Sequence, residues 1–415
     1  MWGVGHAAFQ VEGHTEPSDW KRWTHTDGKI ADASNADQAT DFWNRYKEDF
    51  ALAKELGANT FRMSIAWERV EVQAGVWNVE ALEHYKKMIL SCIDHGLEPV
   101  VTLHHFVLPE WIADKGGICS DEFEVEFADY AEKVVSFMSQ EGPLVKWWMT
   151  FNEPQVLTNF GYITGGWPPG EKDLSRFMLA NRNLVRAHVS AVKRIRTLNL
   201  KDLKISIAQH WRDFQPKSRL NPTHKAAALL LHQVFNRNFV IACQTGINTW
   251  WMPGSKFYAE KLDVDGGTLD YLGINYYGRL MVKTMMKDPF VEIEEGIGEK
   301  TDLGWEICPA SLTNVLRQAW SFRLPILVSE NGLADRSDSK RAKFIEDHVA
   351  ALGQALVQGV NVLGYLHWSL TDNFEWAEGL EPRFGLVEMD YEKLIRTPRP
   401  SFYAYQALIQ KLQNS

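Results

Sequence analysis

The sequence predicts an α/β protein, a (β/α)8 TIM barrel formed by residues 1–415 as one domain. Two observations carry that prediction. Strand-length runs rich in β-branched and aromatic residues recur between amphipathic segments, and strands that alternate with helices lie parallel because each helix is the crossover between them. There are eight such units, which favours a sheet closed on itself over an open doubly wound sheet. From the N-terminus, strands are expected near residues 2–9, 60–67, 99–106, 146–151, 204–210, 271–277, 325–329 and 362–369. Helical periodicity covers residues 41–56, 81–95, 122–139, 176–198, 225–241, 312–322 and 340–357, and a last helix covers 401–412. Gly57, Gly96 and Gly359 fall where a helix C-terminus calls for a residue tolerant of positive φ. Residues 211–270 and 279–324 read as loop-and-helix excursions over one face of the barrel. No internal repeat, low-complexity tract or Pro/Ser-rich linker divides the chain.

Composition narrows the function. With 45% hydrophobic and 23% charged residues the 415-residue chain is ordinary for a globular protein with a large core. A net charge of -9 argues against nucleic acid or an anionic membrane as partner, since both call for a basic surface, and fits a neutral substrate. Cys92, Cys119, Cys243 and Cys308 are widely spaced with no C-x-x-C pair, so they read as reduced thiols. Met1-Trp2-Gly3-Val4 opens without a basic segment and apolar run, and no stretch reaches membrane-spanning length, so the expectation is a cytoplasmic protein. The 17 tryptophans stand out. An indole offers a flat apolar face and one N–H donor, a combination suited to a sugar ring, and roughly a third are assigned to a binding cleft.

In a barrel of this kind chemistry sits at the C-terminal ends of the strands. Two glutamates occupy such ends, Glu153 in Asn152-Glu153-Pro154 and Glu330 in Glu330-Asn331-Gly332. Paired carboxylates can act as acid/base and nucleophile in glycoside hydrolysis. Asn152 precedes Glu153 at the same strand end, Gln10, His105, Tyr277 and Trp368 stand at the ends of other strands, and Arg62 on the second strand points inward if Phe61 and Met63 face the helices. An inward arginine needs an anion. Any one of these residues alone reads more simply as core or surface, as His104 and Tyr276 do; their coincidence at equivalent strand ends points to a site. Gly3-x-Gly5-x-x-Ala8 imitates a dinucleotide fingerprint without its acidic partner, and no phosphate loop, H-E-x-x-H or clustered ligand spacing occurs, so neither cofactor nor metal is expected.

The segments Thr150-Phe151-Asn152-Glu153-Pro154, Ser329-Glu330-Asn331-Gly332 and Trp368-Ser369-Leu370-Thr371-Asp372-Asn373-Phe374-Glu375-Trp376 closely resemble signatures of glycoside hydrolase family 1, the β-glucosidase family. Further matching segments run from Gly5 to Gly13, Phe61 to Trp67, Gly273 to Tyr277 and Gly304 to Ile307, so the resemblance spans the chain. A lone Asn-Glu-Pro also fits family 5 cellulases; the tryptophan-rich last segment is far more specific. The resemblance implies a retaining, exo-acting β-glycosidase, most simply a β-glucosidase with β-galactosidase or β-fucosidase side activity. Glu153 would be the acid/base and Glu330 the nucleophile, roughly 5 to 5.5 Å apart. Arg62 and Tyr277 would attend Glu330 and lower its pKa, and the charge on Glu330 would raise that of Glu153. Asn275 is placed by the same resemblance in a supporting role. Gln10, His105, Asn152, Glu375 and Trp376 would bind glycone hydroxyls, Trp368 would stack beneath the ring, and Trp305 would flank the aglycone.

Departures from the pattern carry information. Glu375, Pro382 and Phe384 stand where phospho-glycosidases of the family carry serine, lysine and tyrosine, which disfavours a 6-phosphosugar. Glu153 is not the glutamine of plant myrosinases. Phe106-Val107 replaces the commoner Trp-Asp and puts wall packing in question; Gln155 replaces a frequent tryptophan and puts aglycone preference in question. The excursion before the sixth strand is short, implying an open or differently shaped aglycone mouth. A transglycosylating enzyme and a catalytically silent sugar-binding barrel remain as alternatives, the latter set back by the presence of both glutamates.

Overall fold

The computed structural model describes residues 1–142, 144–264, 266–285 and 291–414. Eight strands form the barrel: β1 (Trp2–Gly5), β2 (Thr60–Ser64), β3 (Glu98–His104), β4 (Trp147–Asn152), β5 (Lys204–His210), β6 (Leu272–Tyr276), β7 (Ile326–Asn331) and β8 (Val362–His367). Each pairs in parallel with its sequence neighbours, and β8 pairs with β1 to close the ring. Inward-pointing Val100, Met149, Ala208, Tyr271, Leu327 and Leu366 fill the interior. Outward residues such as Phe61, Met63 and Leu103 pack beneath the helices.

The helices named here are α1 (Phe42–Glu55), α2 (Val79–Asp94), α3 (Phe123–Phe137), α4 (Leu174–Thr197), α5 (Pro222–Leu231), α6 (Asn238–Thr245), α7 (Pro309–Ala319), α8 (Arg341–Val357) and α9 (Pro400–Gln413). Three of them start on a side-chain cap: Asn78 Oδ1 accepts the Ala81 N–H at 3.1 Å, Asp173 Oδ1 accepts those of Ser175 and Arg176, and Asn221 Oδ1 accepts that of Thr223. Gly57, Gly96 and Gly359 follow α1, α2 and α8 with φ of 81°, 79° and 84°, the left-handed exit expected of them.

Three boundaries differ from the sequence reading. β1 ends at Gly5 and Ala8–Val11 is helical, with the Ala8 N–H captured by Ser64 Oγ at 2.7 Å. β2 stops at Ser64 and Trp67–Val70 is likewise a helical turn. β7 runs on through Glu330 and Asn331, because a register shift after Ile274 lets Asn275 and Tyr276 of β6 pair with them. The two excursions also hold strands. Asp213–Pro216, Arg279–Thr284 and Val291–Glu295 build a three-stranded sheet beyond the ends of β5 and β6. Residues 286–290 of the second excursion lie outside the described residues. All four cysteines are free thiols, and among the described residues no helix is long and apolar enough to cross a membrane.

Candidate active site

A cavity of about 540 Å³ opens at the C-terminal ends of the strands. Gln10, His105, Asn152, Glu153, Tyr277, Trp305, Glu330, Trp368, Glu375 and Trp376 all line it. Arg62 and Asn275 lie fully buried just beneath, hydrogen-bonded to the residues above. Every residue singled out from the sequence is therefore brought to one place.

Glu330 reaches the cavity from the end of β7. One carboxylate oxygen is ion-paired with Arg62 Nη1 and the other accepts the Tyr277 hydroxyl at 2.7 Å. Arg62 Nη2 donates to Asn152 Oδ1 at 2.7 Å, and that oxygen also accepts Asn275 Nδ2 at 3.0 Å. Asn275 Nδ2 reaches Glu153 Oε1 at 2.9 Å as well, so one chain of polar contacts joins the two glutamates. Ser329 donates to Asn275 Oδ1 at 2.7 Å and fixes which end of that amide is the donor.

Motif residues that are not among those lining this cavity explain the rest of the spelling. Asn331 donates to Tyr276 O at 2.7 Å and accepts from Tyr365 Oη at 2.8 Å, tying β7 to both neighbours at the level of Glu330. A Cβ on Gly332 would lie 1.8 Å from the Trp368 carbonyl oxygen, so the chain passes Trp368 only as glycine. Asp372 accepts from both Nη atoms of Arg399 at 2.9 Å and from the Gly385 N–H at 2.9 Å, pinning the segment that carries Trp368 and Glu375.

Glu153 follows β4 with φ 44° and ψ 58°, left-handed for a residue that bears a Cβ, at a cost of roughly 1–2 kcal/mol. Pro154 then starts a short helix at the position where its missing N–H costs nothing. Such strain is held where surroundings over-determine it, a mark of functional positions. Glu153 Oε1 also lies 2.8 Å from His210 Nδ1, while Oε2 makes no hydrogen bond among the described residues.

The sequence reading did not name His210. It stands at the end of β5, one strand whose end the survey of polar residues passed over, and stacks near Tyr277 at 5.8 Å between ring centres. Phe106 and Gln155, flagged as departures, resolve differently. Phe106 is buried and packs against Trp167 and Trp376 with ring centres 4.9 and 5.0 Å apart, so the wall is complete without an indole there. Gln155 is buried behind the site, accepting from Gln209 Nε2 at 2.6 Å, and the neighbouring Val156 faces the cavity instead. Of the 17 tryptophans, Trp167, Trp305, Trp368 and Trp376 line the cavity, fewer than the third expected.

Burial is the largest influence on Glu330 and carries its carboxyl up to about 7 against the pull of Arg62 and the Tyr277 hydroxyl; charge on Glu153 adds to the rise. Burial also acts on Glu153, but a protonated His210 and the bonds from His210 and Asn275 outweigh it and hold that group below its usual range. The pull lasts only while His210 is charged, and burial lowers the His210 pKa, so the groups titrate together. The expectation of a lowered Glu330 and a raised Glu153 is thus corrected for the free protein: burial exceeds Arg62 at Glu330, and His210 sets the state of Glu153. Glu375 is raised to about 8 by burial and by the charges of Glu330, Glu153 and Glu378, so it carries a proton at neutral pH. Burial, with Arg62 and His104 nearby, keeps His105 neutral; its Nε2 accepts Asn152 Nδ2 at 3.0 Å, which places the ring proton on Nδ1.

Gln10 donates from Nε2 to Asn373 Oδ1 and Phe374 O, each at 2.8 Å, while its buried Oε1 has no partner among the described residues. An orphaned buried acceptor calls for a donor. Among the described residues, no group of three His, Cys, Asp or Glu side chains is placed to hold a metal ion.

Known proteins resemble the chain in sequence and fold along its length. Beta-glucosidase A of Acetivibrio thermocellus is 32% identical over 446 residues, covering 99% of this chain and 97% of that protein. The Thermotoga maritima beta-glucosidase structure in complex with glucoimidazole superposes with a TM-score of 0.90 at 30% identity, covering 99% of this chain and 97% of that one. The beta-glycosidase from Pyrococcus horikoshii gives a TM-score of 0.90 at 31% identity, with coverages of 98% and 93%. The family model for glycosyl hydrolase family 1 matches residues 1–414, and the chain belongs to that family.

Proposed function

We propose that this glycosidase acts as one catalytic domain and is a retaining exo-β-glucosidase, with Glu330 as nucleophile and Glu153 as acid/base. The observation that carries the assignment is the polar chain from Glu330 through Arg62, Asn152 and Asn275 to Glu153 along one cavity wall. The names of its relatives support glucose as the preferred glycone.

Glu153 Oε1 is occupied by Asn275 and His210, so the catalytic proton belongs on Oε2, the oxygen left free toward substrate. Near neutral pH the imidazole loses its charge and no longer pulls on Glu153, so burial and the charge on Glu330 favour the protonated acid. Arg62 and Tyr277 both donate to Glu330, which favours the ionised form needed for attack. Glu153 gives its proton to the glycosidic oxygen as Glu330 bonds to the anomeric carbon and the C–O bond to the aglycone breaks. With Glu330 esterified its charge is gone, and Glu153, now a carboxylate, takes a proton from the water that releases the sugar.

The orphaned Oε1 of Gln10 and the protonated Glu375 beside it fit a sugar hydroxyl pair, and His105 and Asn152 face the hydroxyl nearest the reacting carbon. Trp368 supplies the platform beneath the ring. Free thiols support a reducing, cytoplasmic setting, and the net charge of -9 supports a neutral sugar over nucleic acid. Glu330→Gly should abolish hydrolysis of an aryl β-glucoside and regain turnover with azide or formate. Undiminished hydrolysis by that variant would remove Glu330 from the mechanism.

A further inference from the structure

The outer half of the cavity differs in chemistry from the strand ends. Its walls come from the two excursions: Phe214, Leu231, Phe235, Leu280 and Ile293 present apolar side chains there. Their arrangement follows from the three-stranded sheet. Leu280 pairs in register with both Phe214 and Glu295, so these three side chains form one row on one face, and Ile293 follows two residues along. Glu295 is the one carboxylate in that row, and the apolar side chains around it match a flat apolar group.

Arg212 stands among these side chains. Asn236, fully buried, brackets its backbone: Oδ1 accepts the Arg212 N–H at 3.1 Å and Nδ2 donates to the Arg212 carbonyl at 2.8 Å. The Trp305 ring lies 5.7 Å from the guanidinium carbon. The backbone is thus held in place, yet the guanidinium donates no hydrogen bond and forms no ion pair among the described residues, and its Nη1 is buried without a partner. Glu295 and Glu153 are the carboxylates that face it, both beyond ion-pair reach. A buried guanidinium nitrogen with no acceptor loses its solvation without compensation. A ligand oxygen in the outer cavity would restore it.

We propose that the aglycone is an aromatic group bearing a carbonyl or carboxylate oxygen, seated between the apolar sheet face and Trp305 with that oxygen accepting from Arg212. The proposal rests on the glycosidase reading of the site and assigns Arg212 as a residue that selects the aglycone. Both oxygen types satisfy the same donor, and the substrates below separate them.

The test compares kcat/KM of the full-length protein and Arg212→Met on phenyl, 4-acetylphenyl and 4-carboxyphenyl β-glucosides and on cellobiose. Taking the ratio of parent to variant for each substrate cancels leaving-group reactivity. The ratio for the acetyl or carboxy compound should exceed that for the phenyl glucoside by about tenfold or more, the size of one lost charge-assisted hydrogen bond. The larger of the two ratios identifies the preferred oxygen. Equal ratios across all the aryl glucosides, or the largest ratio on cellobiose, would overturn the proposal. Should Arg212→Met fail to fold, Arg212→Gln and inhibition of the parent by free aglycones carry the same comparison, 4-hydroxyacetophenone or 4-hydroxybenzoate being expected to inhibit at lower concentration than phenol. No hydrolysis of phenyl β-glucoside by the parent would instead reject the underlying glycosidase reading.

Discussion

Tyr277→Phe isolates one contact at Glu330, the proposed nucleophile. The hydroxyl donates to Glu330 at 2.7 Å, and burial together with the charge of Glu330 keeps the phenol far above its ordinary pKa, so it remains a donor across the working range. Phenylalanine preserves the ring that packs near His210 and Trp305 and removes only the donor. A hydrogen bond to a charged group contributes about 1.5–3 kcal/mol, and a pKa unit corresponds to about 1.4 kcal/mol, so the loss amounts to about 1–2 units. The donor favours the ionised form; removing it raises the pKa. From a starting value of about 7, the acid limb of kcat/KM should therefore move to roughly pH 8–9. The assay is the pH profile with 2,4-dinitrophenyl β-glucoside, whose leaving group needs no proton from Glu153. At pH 6 the variant should be slower by about ten- to a hundredfold through loss of ionised nucleophile alone. An acid limb that stays in place, or moves to lower pH, would refute the reasoning.

While His210 is charged Glu153 is ionised and raises Glu330, so Glu153→Gln should move the lower part of the same limb the other way. On the dinitrophenyl substrate the first step should persist in that variant, while a glucoside with a poor leaving group loses about 10²–10⁴-fold, read from presteady-state rates on the two substrates. Gly332→Ala places a methyl 1.8 Å from the Trp368 carbonyl oxygen and should cost about 3 kcal/mol, measured as a lowered urea midpoint. A midpoint matching the parent would show that the Trp368 backbone can move aside.

The strand-end part of the site was legible because barrel topology converts sequence position into spatial position. Glu153, Glu330, Gln10, His105 and Trp368 come from five different strands, and once the strands are recognised their ends must converge. Arg62 was legible one step further, from alternation: with Phe61 and Met63 facing out, residue 62 faces in. His210 satisfied the same rule at the end of β5 and carried the same signal. The balance of charge was not legible, since it depends on how deeply Glu330 is buried relative to how closely Arg62 approaches it, and burial is a property of the packed barrel.

The outer cavity was illegible for a different reason. In its row of Phe214, Leu280 and Glu295, the strand of Phe214 pairs with that of Leu280 across more than 60 residues of connecting chain, and all three lie in segments whose periodicity is too short to separate from loop. Nothing in the barrel rule says where such strands lie, so the sequence placed Trp305 near the aglycone but left its surroundings unspecified. The division also has a physical consequence. The proposed glycone contacts stand on strand ends whose register the closed sheet fixes, so altering them disturbs β7, β8 and the Asp372–Arg399 pair together. The outer walls stand on a separate small sheet, joined to the barrel by the short links from His210 to Asp213 and from Tyr276 to Arg279 and by Asp213, which accepts from Ser311 and Asn314 of α7. Side chains there can change one at a time, which makes the outer sheet the place where relatives of the same chemistry can diverge in aglycone.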